Sequence, residues 1–202
     1  MIKNVIFDMG NVLLRWNPIQ SCLRHCDSKE RAERLRDFIF YSPDWPSCTD
    51  SGKMHTDEYL RFLLGKAQED DKPYIRAILS DYWLDSVYPM PGMEELTEEL
   101  LAAGYQLFLL SNIGYDFYRM SYKIVQLPRF RGVMLSCEEK LMKPSPELFR
   151  RLCSRYALSP EECLFVDDVE KNVLGALFAE LHGVVFDGTP ACVRKAILEC
   201  NA

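Results

Sequence analysis

Two apolar runs in this chain end on carboxylates, and that pattern restricts the fold more than any other feature. Val5-Ile6-Phe7-Asp8-Met9-Gly10-Asn11-Val12 passes from an apolar run to an acid and then turns through Gly10-Asn11. Cys163-Leu164-Phe165-Val166 ends in the same manner, on the adjacent pair Asp167-Asp168. Short apolar runs bounded by turn residues read as strands buried on both faces, and in parallel sheets ligands bind beyond the carboxyl ends of such strands. A single carboxylate there usually caps the following helix. Adjacent acids repel one another, so an edge gathering Asp8, Asp167 and Asp168 suits a hard, oxygen-seeking cation such as Mg²⁺.

The rest of the chain is consistent with a doubly wound α/β fold with a mainly parallel sheet. From residue 90 onward strands and helices alternate: a helix over 93–103 stopped by Gly104, a strand over 105–110, a helix over about 115–124 and a strand over 132–135. A helix over 146–156, a capping box at Ser159-Pro160-Glu161-Glu162, the strand reaching Asp167, a helix over about 170–181 closed by Gly183 and a last strand at Val184-Val185-Phe186 complete the series. Alternation of this kind implies helices on both faces of a parallel sheet. The segment 15–89 has no strong strand signal and reads as an all-helical insert. Ala32, Leu35, Phe38 and Ile39 share one helix face, Thr56 is placed to cap a helix with Tyr59, Leu60, Leu63 and Leu64 inward, and Pro73 opens another with Ile75, Ile78 and Leu79 inward. The expected division is therefore a core from 1–14 and 90–202 and a helical cap from 15–89.

Composition excludes several classes. The chain is 202 residues long, 48% hydrophobic and 27% charged, as an ordinary globular protein is. Its net charge of −6 comes without a run of Lys or Arg, which argues against a nucleic-acid or anionic-membrane partner and for a small substrate. The eight cysteines lack a CxxC pair and read as reduced, mostly buried thiols; Cys22 and Cys26 around His25 fit a helix better than half a zinc site. No stretch approaches the ~18 apolar residues of a membrane helix, and no signal-peptide pattern precedes the first strand, so a reducing cytoplasm is the expected compartment. His25 and His182 read as structural, His182 at a helix end where its ring can meet free carbonyls. The oligomeric state is not legible.

Two more segments fit the same sheet edge. Tyr105 to Leu110 is a buried-strand run that ends in Ser111-Asn112, whose hydroxyl and following amides can hold a phosphate oxygen. Lys143, in Met142-Lys143-Pro144-Ser145-Pro146, stands just before a helix opened by proline. In this order and after these strands, the four segments resemble the haloacid dehalogenase-like hydrolase superfamily, whose members are mostly phosphatases. The resemblance covers 1–14 and about 90–188, and the insert lies where helical-cap members carry their cap.

On this resemblance Asp8 is the nucleophile, Ser111 with Asn112, Met9 and Gly10 belongs to the phosphate-binding set, and Lys143 is the cation. Asp8, the Gly10 carbonyl, Asp167 and Asp168 form the expected Mg²⁺ site, with Asn172 acting through water where some members have a further acid. The implied reaction is hydrolysis of a small phosphate monoester, a sugar phosphate or similar small phosphorylated metabolite, through an aspartyl-phosphate on Asp8. Gly10 departs from the family's phosphatases, which usually have there a second Asp that protonates the leaving alcohol, a role typically worth ~10²- to 10⁴-fold. Either His55, Asp50 or Glu58 from the insert replaces it, or the leaving group is acidic enough to depart unaided, as the resemblance of sequences with a Gly here to glucose-1-phosphate phosphatase implies. The alternatives are a catalytically impaired ligand- or protein-binding protein, a dehalogenase, which needs no metal and rarely has two adjacent acids in the fourth segment, and a phosphomutase. Of the aromatics gathered in the insert (Phe38, Phe40, Tyr41, Trp45, Tyr82, Trp83 and Tyr88), most are expected in its core, with Trp45 and Tyr41 placed to face a substrate.

Overall fold

Val5, Ile6 and Phe7 are wholly buried in β1 (Asn4–Phe7), the middle strand of a parallel sheet. Each such side chain taken from water contributes about 1.5–3 kcal/mol, so this strand anchors the fold. The structure is a computed structural model and describes all residues, 1–202. After β1 come β2 (Leu14–Trp16), α1 (Ile19–His25), α2 (Lys29–Ile39), a π-helical turn at Pro46–Asp50, α3 (Thr56–Lys66), α4 (Lys72–Asp81), α5 (Trp83–Ser86) and β3 (Val87–Pro89). Then follow α6 (Met93–Ala102), β4 (Gln106–Ser111), α7 (Phe117–Met120), β5 (Gly132–Leu135), α8 (Ser136–Glu139) and α9 (Pro146–Tyr156). The chain finishes with β6 (Cys163–Asp167), α10 (Glu170–Leu177), β7 (His182–Val185) and α11 (Pro190–Asn201).

The main sheet has five strands in the order β5-β4-β1-β6-β7, all parallel. Both faces are covered, as parallel sheets require. Ile6, Phe108 and Phe165 meet Leu148, Phe149 and Leu152 of α9 on one face. Val5, Phe7, Leu107 and Val166 belong to the core shared with Leu96 and Leu100 of α6 and Val193 and Ile197 of α11 on the other. The register sets Phe7 beside both Leu109 and Val166, so β6 ends one residue and β4 two residues beyond the end of β1. No helix is long and apolar enough to cross a membrane.

Between β1 and α6 the chain is helical, around a core that includes Leu35, Ile39, Tyr59, Leu63, Ile75 and Ile78. The segment is not all-helical, however. β2 and β3 pair antiparallel, with Arg15 opposite Tyr88 and Trp16 opposite Val87, where the chain leaves and re-enters the main sheet. Three-residue strands have too few positions for a period to be visible.

Several boundaries differ from the sequence reading. His55, not Thr56, stands before α3, with its amide donating to Glu58 Oε2 at 2.8 Å, and Thr56 turns its hydroxyl toward Asp116. The expected helix over 115–124 is only α7 and a 3₁₀ turn at Ser121–Lys123. Ser159 makes no side-chain cap, and its carbonyl accepts from the Glu162 amide in a 3₁₀ turn. α10 stops at Leu177, and Gly183 lies inside β7, where a Cβ would come 2.7 Å from Val173 Cγ1 of α10. His182 is therefore on a strand, its Nε2 3.2 Å from the Glu161 carbonyl. The last strand ends before Phe186, and α11 was not anticipated.

Candidate active site

Asp8 leaves β1 with its amide donating to the Val166 carbonyl at 2.9 Å, which sets it level with Asp167 at the end of β6. The turn behind it closes on Met9, whose carbonyl accepts the amides of Leu13 and Leu14 at 3.0 and 2.9 Å. Asn11 takes a left-handed conformation in this turn, with φ of 55°, a backbone region that Asn tolerates better than most residues. Its side chain works in two directions: Nδ2 donates to Asp168 Oδ2 at 3.2 Å, and Oδ1 accepts from the Trp16 amide at 3.1 Å. Asn11 thus ties the second carboxylate of the acidic pair to the β2–β3 ribbon. The sequence reading missed this role, although an Asn directly after a strand-ending acid and a Gly was its visible signal.

Lys143 is the single cation on the floor of the site. Its side chain is 1% exposed, and Nζ lies 2.7 Å from both Asp8 Oδ1 and Asp167 Oδ2. Burial alone would lower its pKa, but the two carboxylates outweigh that and raise it, so the ammonium stays charged. Asn112 holds the lysine from behind. Its Oδ1 accepts the Lys143 amide at 2.8 Å and its Nδ2 donates to the Lys143 carbonyl at 2.9 Å. The Asn112 side chain is therefore occupied with positioning Lys143, and only its main chain is left for a phosphate. Ser111, the last residue of β4, lines the same cavity.

The same loop is pressed from outside by α10. A Cβ on Gly175 would sit 2.2 Å from the Pro144 carbonyl oxygen, and backbone there cannot give way cheaply. Gly175→Ala is expected to destabilise the protein by about 1–3 kcal/mol, as overpacking does, and to lower turnover by displacing Lys143. Thermal melting with steady-state kinetics checks this, and wild-type behaviour in both would refute the packing argument.

Asp167 is wholly buried and richly bonded. It accepts from Lys143, from the Val169 amide at 2.8 Å and from Asn172 Nδ2 at 3.1 Å on each oxygen. Asp8 is pushed up to about 6, first by burial and then by the charge of Asp167, with Lys143 opposing. Asp168 is also raised, again by burial first and Asp167 next. One oxygen from each of Asp8, Asp167 and Asp168 lies within 4.8 Å of the others. Three carboxylates against one lysine leave excess negative charge in a buried place. The Gly10 carbonyl accepts no hydrogen bond in its turn, and Asn172 Oδ1 is buried without a partner. An all-oxygen, over-negative donor set of this kind fits a hard divalent cation.

Above these groups is a cavity of about 370 Å³. Asp8, Met9, Gly10, Ser111, Asn112 and Lys143 line its core side, and Trp45, Thr49, Asp50, Thr56 and Tyr82 line it from the insert. Trp16 adds a wall from β2, with its ring edge-on to Phe40 and Tyr82 at centroid distances of 5.5 and 5.7 Å. Trp45 meets Tyr82 at 5.7 Å, so the aromatic wall is held by its own packing. Tyr41 does not reach this cavity; it is exposed, under the Arg36 guanidinium at 5.2 Å. His55 stacks on Tyr115 at 4.1 Å beside a neighbouring cavity, and Glu58 is engaged with the His55 amide. Of those three insert residues, Asp50 is the one in the cavity.

Asp116, unremarked in the sequence, receives the Thr56 hydroxyl, the Tyr82 phenol at 2.9 Å and Arg119 Nε at 3.5 Å. This buried acid from the loop after β4 fastens two elements of the insert to the sheet. Nothing in the pattern around Tyr115-Asp116-Phe117 signals it, because its partners lie 60 and 34 residues away.

Known proteins have related sequences and folds. The chain is 26% identical over 197 residues to a sesquiterpene phosphatase of Aspergillus oryzae, covering 95% of this chain and 94% of that protein. It is 31% identical over 123 residues to an (S)-2-haloacid dehalogenase of Burkholderia cepacia, covering 60% of this chain and about half, 52%, of that enzyme. A haloacid dehalogenase family enzyme of Bacteroides thetaiotaomicron, solved in complex with magnesium and inorganic phosphate, aligns with a TM-score of 0.68 and 22% identity over 93% of this chain and 96% of that one, a likeness of fold. The sequence matches the haloacid dehalogenase-like hydrolases over residues 2–179, and with the five-stranded parallel sheet and its acid-lined edge already in place, the chain belongs to that family and is a hydrolase.

Proposed function

We propose that this hydrolase is a magnesium-dependent phosphatase that cleaves a small phosphate monoester through a covalent aspartyl-phosphate on Asp8. The observation that carries the reading is Lys143 Nζ at 2.7 Å from both Asp8 and Asp167, with Asp168 alongside, at the bottom of a cavity. A carbon–halogen substrate carries no dianion to neutralise and gives a third crowded acid no purpose, which favours phosphate over halide. Residues 1–14 and 90–202 act as the catalytic core in this reading, and 15–89 as the cap over it.

Asp8, Asp168 and the Gly10 carbonyl have lone pairs left to hold Mg²⁺, with Asp167 adding charge from behind. Bound there, the ion would supply Lewis-acid neutralisation, offsetting the repulsion between a phosphate dianion and the attacking carboxylate. Lys143 holds Asp8 in place and offers its remaining proton to a phosphate oxygen, while Ser111 and the amides after β4 receive another. Asp8 then attacks phosphorus in line, and water hydrolyses the acyl phosphate.

The cavity volume of about 370 Å³ is near the low end for ligand sites, which limits the substrate to a small metabolite. Trp16, Trp45 and Tyr82 offer flat apolar faces to its organic part, as suits the face of a sugar ring. The test is phosphate release from a panel of sugar phosphates and an activated aryl phosphate, with Mg²⁺ and after chelation. Release that disappears with the metal and returns on its addition is expected; no release from any member with metal bound would overturn the reading.

A further inference from the structure

Breaking a phosphate ester of an ordinary alcohol leaves an alkoxide that needs a proton, and the buried groups beside Asp8 are engaged elsewhere, while Lys171 of α10, which also lines the cavity, is exposed. Lys143 is committed to two carboxylates, and Asp8 is the nucleophile in the reading above. Asp168 is held by Asn11, and Asp116 by Thr56, Tyr82 and Arg119. At Gly10 there is open space, since a Cβ built there meets nothing within 4 Å.

Asp50 lines the same cavity from the insert. It ends the π-helical turn Pro46–Asp50, lines the cavity with Asp8 and pairs with no cation. Its Oδ1 accepts the Thr49 hydroxyl at 3.2 Å, and the Gly114 amide also donates to its carboxyl group. The Asp50 carbonyl accepts Ser136 Oγ at 2.6 Å, and the turn fits so closely that a Cβ on Gly52 would fall 2.0 Å from the Cys137 carbonyl oxygen. An acid group held at a stated place by packing and by bonds to its own backbone is preorganised in the way proton transfer requires.

We propose that Asp50 is the general acid and base of the reaction, supplied by the insert in place of a residue at position 10. The assignment rests on the phosphatase reading. In the first half, the Asp8 carboxylate oxygen forms its bond to phosphorus as the ester P–O bond breaks, and the carboxyl proton of Asp50 passes to the departing oxygen. In the second half, the Asp50 carboxylate takes a proton from water as that oxygen bonds to phosphorus and the Asp8–phosphorus bond breaks. Inorganic phosphate leaves and Asp50 is again protonated.

The charge state suits the role. Burial pushes Asp50 up to about 7, against the donors Thr49 and Gly114 and with the Asp8 charge adding to it. The other titratable groups close enough to feel Asp50 are Tyr59 of α3, Tyr82, and Cys137 of α8, none of them cationic. A proton held near neutrality can be both given and retrieved.

The test compares an alkyl phosphate, with a poor leaving group, and p-nitrophenyl phosphate, whose phenolate departs unaided. Asp50→Asn should lower turnover of the alkyl ester by ~10²- to 10⁴-fold. It should leave the initial burst of nitrophenolate within about tenfold of wild type, since that step needs no acid, and phosphoenzyme should accumulate. In the wild type, alkyl turnover should fall as pH rises above about 7, where Asp50 loses its proton, while the aryl burst should not. A loss of the aryl burst equal to the loss of alkyl turnover, or an alkyl rate untouched by the substitution, would overturn the assignment. So would an alkaline limb common to both esters in the wild type, a measurement that does not depend on the variant folding. Silence of the wild type on both esters with Mg²⁺ present would instead overturn the phosphatase reading, and this assignment with it.

Discussion

Asp8→Asn is expected to reduce phosphate release by about 10⁴-fold or more, because it removes the atom that bonds to phosphorus and no neighbour can substitute for it. The fold should survive, and the sign of the pH effect says why. A carboxyl group raised to about 6 in the fold and near 3.8 when unfolded is harder to ionise in the native protein. Its charge therefore weakens the fold most above about pH 6, and the penalty fades as pH falls toward 3.8. Removing the charge should leave the variant melting at least as high as wild type at pH 8, with any advantage shrinking toward pH 4. A variant that is inactive and also unfolded at pH 8 would mean that Asp8 is needed for structure, and a variant that retains activity would refute the mechanism.

Lys143→Met is expected to lose activity and much stability together. The lysine lies between two buried carboxylates, and deleting one partner of a buried ion pair costs about 3–5 kcal/mol. In a domain of this size each kcal/mol lowers the melting temperature by roughly 2–4 °C. The loss should be largest near pH 8, where Asp8 and its neighbours are ionised with nothing to neutralise them. It should narrow as pH falls toward about 6, because without Lys143 to oppose burial the Asp8 carboxyl takes up its proton above that value. Melting curves across that interval check the prediction; a deficit independent of pH would assign the effect to lost packing and not to charge.

The contrast between these two residues reflects how each was legible. Asp8 and Asp167 could be read from the sequence, because an apolar run that stops at an acid is a local pattern and strand ends translate it directly into position. The main sheet was legible for the same reason, and Ser111 with it. Lys143 was not distinctive in itself, since a lysine before a proline is ordinary, and only the order of the four segments singled it out. The contribution of the insert was least visible. Asp50 could not be chosen over His55 and Glu58 because its place depends on a turn wedged against Cys137 and Gly114, residues far along the chain. The use of the Asn112 side chain on the Lys143 backbone, a pairing across 31 residues, had no local signal. The errors in α7 and α10 have simpler sources: α7 passes into the 3₁₀ turn at Ser121–Lys123, and α10 stops short of a chain reversal at Glu180, with φ of 68°, that no local propensity demands.

The β2–β3 ribbon joins the insert to the sheet by three paired residues on each side, and neither strand takes part in the five-stranded register. Substitutions or length changes between Trp16 and Val87 can therefore reshape the aromatic wall without shifting Asp8, Lys143 or Asp167, and over evolutionary time the choice of substrate is free to drift while the bond-breaking apparatus stays put. The exceptions are the turn carrying Asp50, which is clamped to Ser136 and Cys137, and Thr56 and Tyr82, which are tied to Asp116. With Asp50 assigned as the general acid, a lineage that exchanged this insert wholesale would have to bring its own proton donor, or place one at position 10.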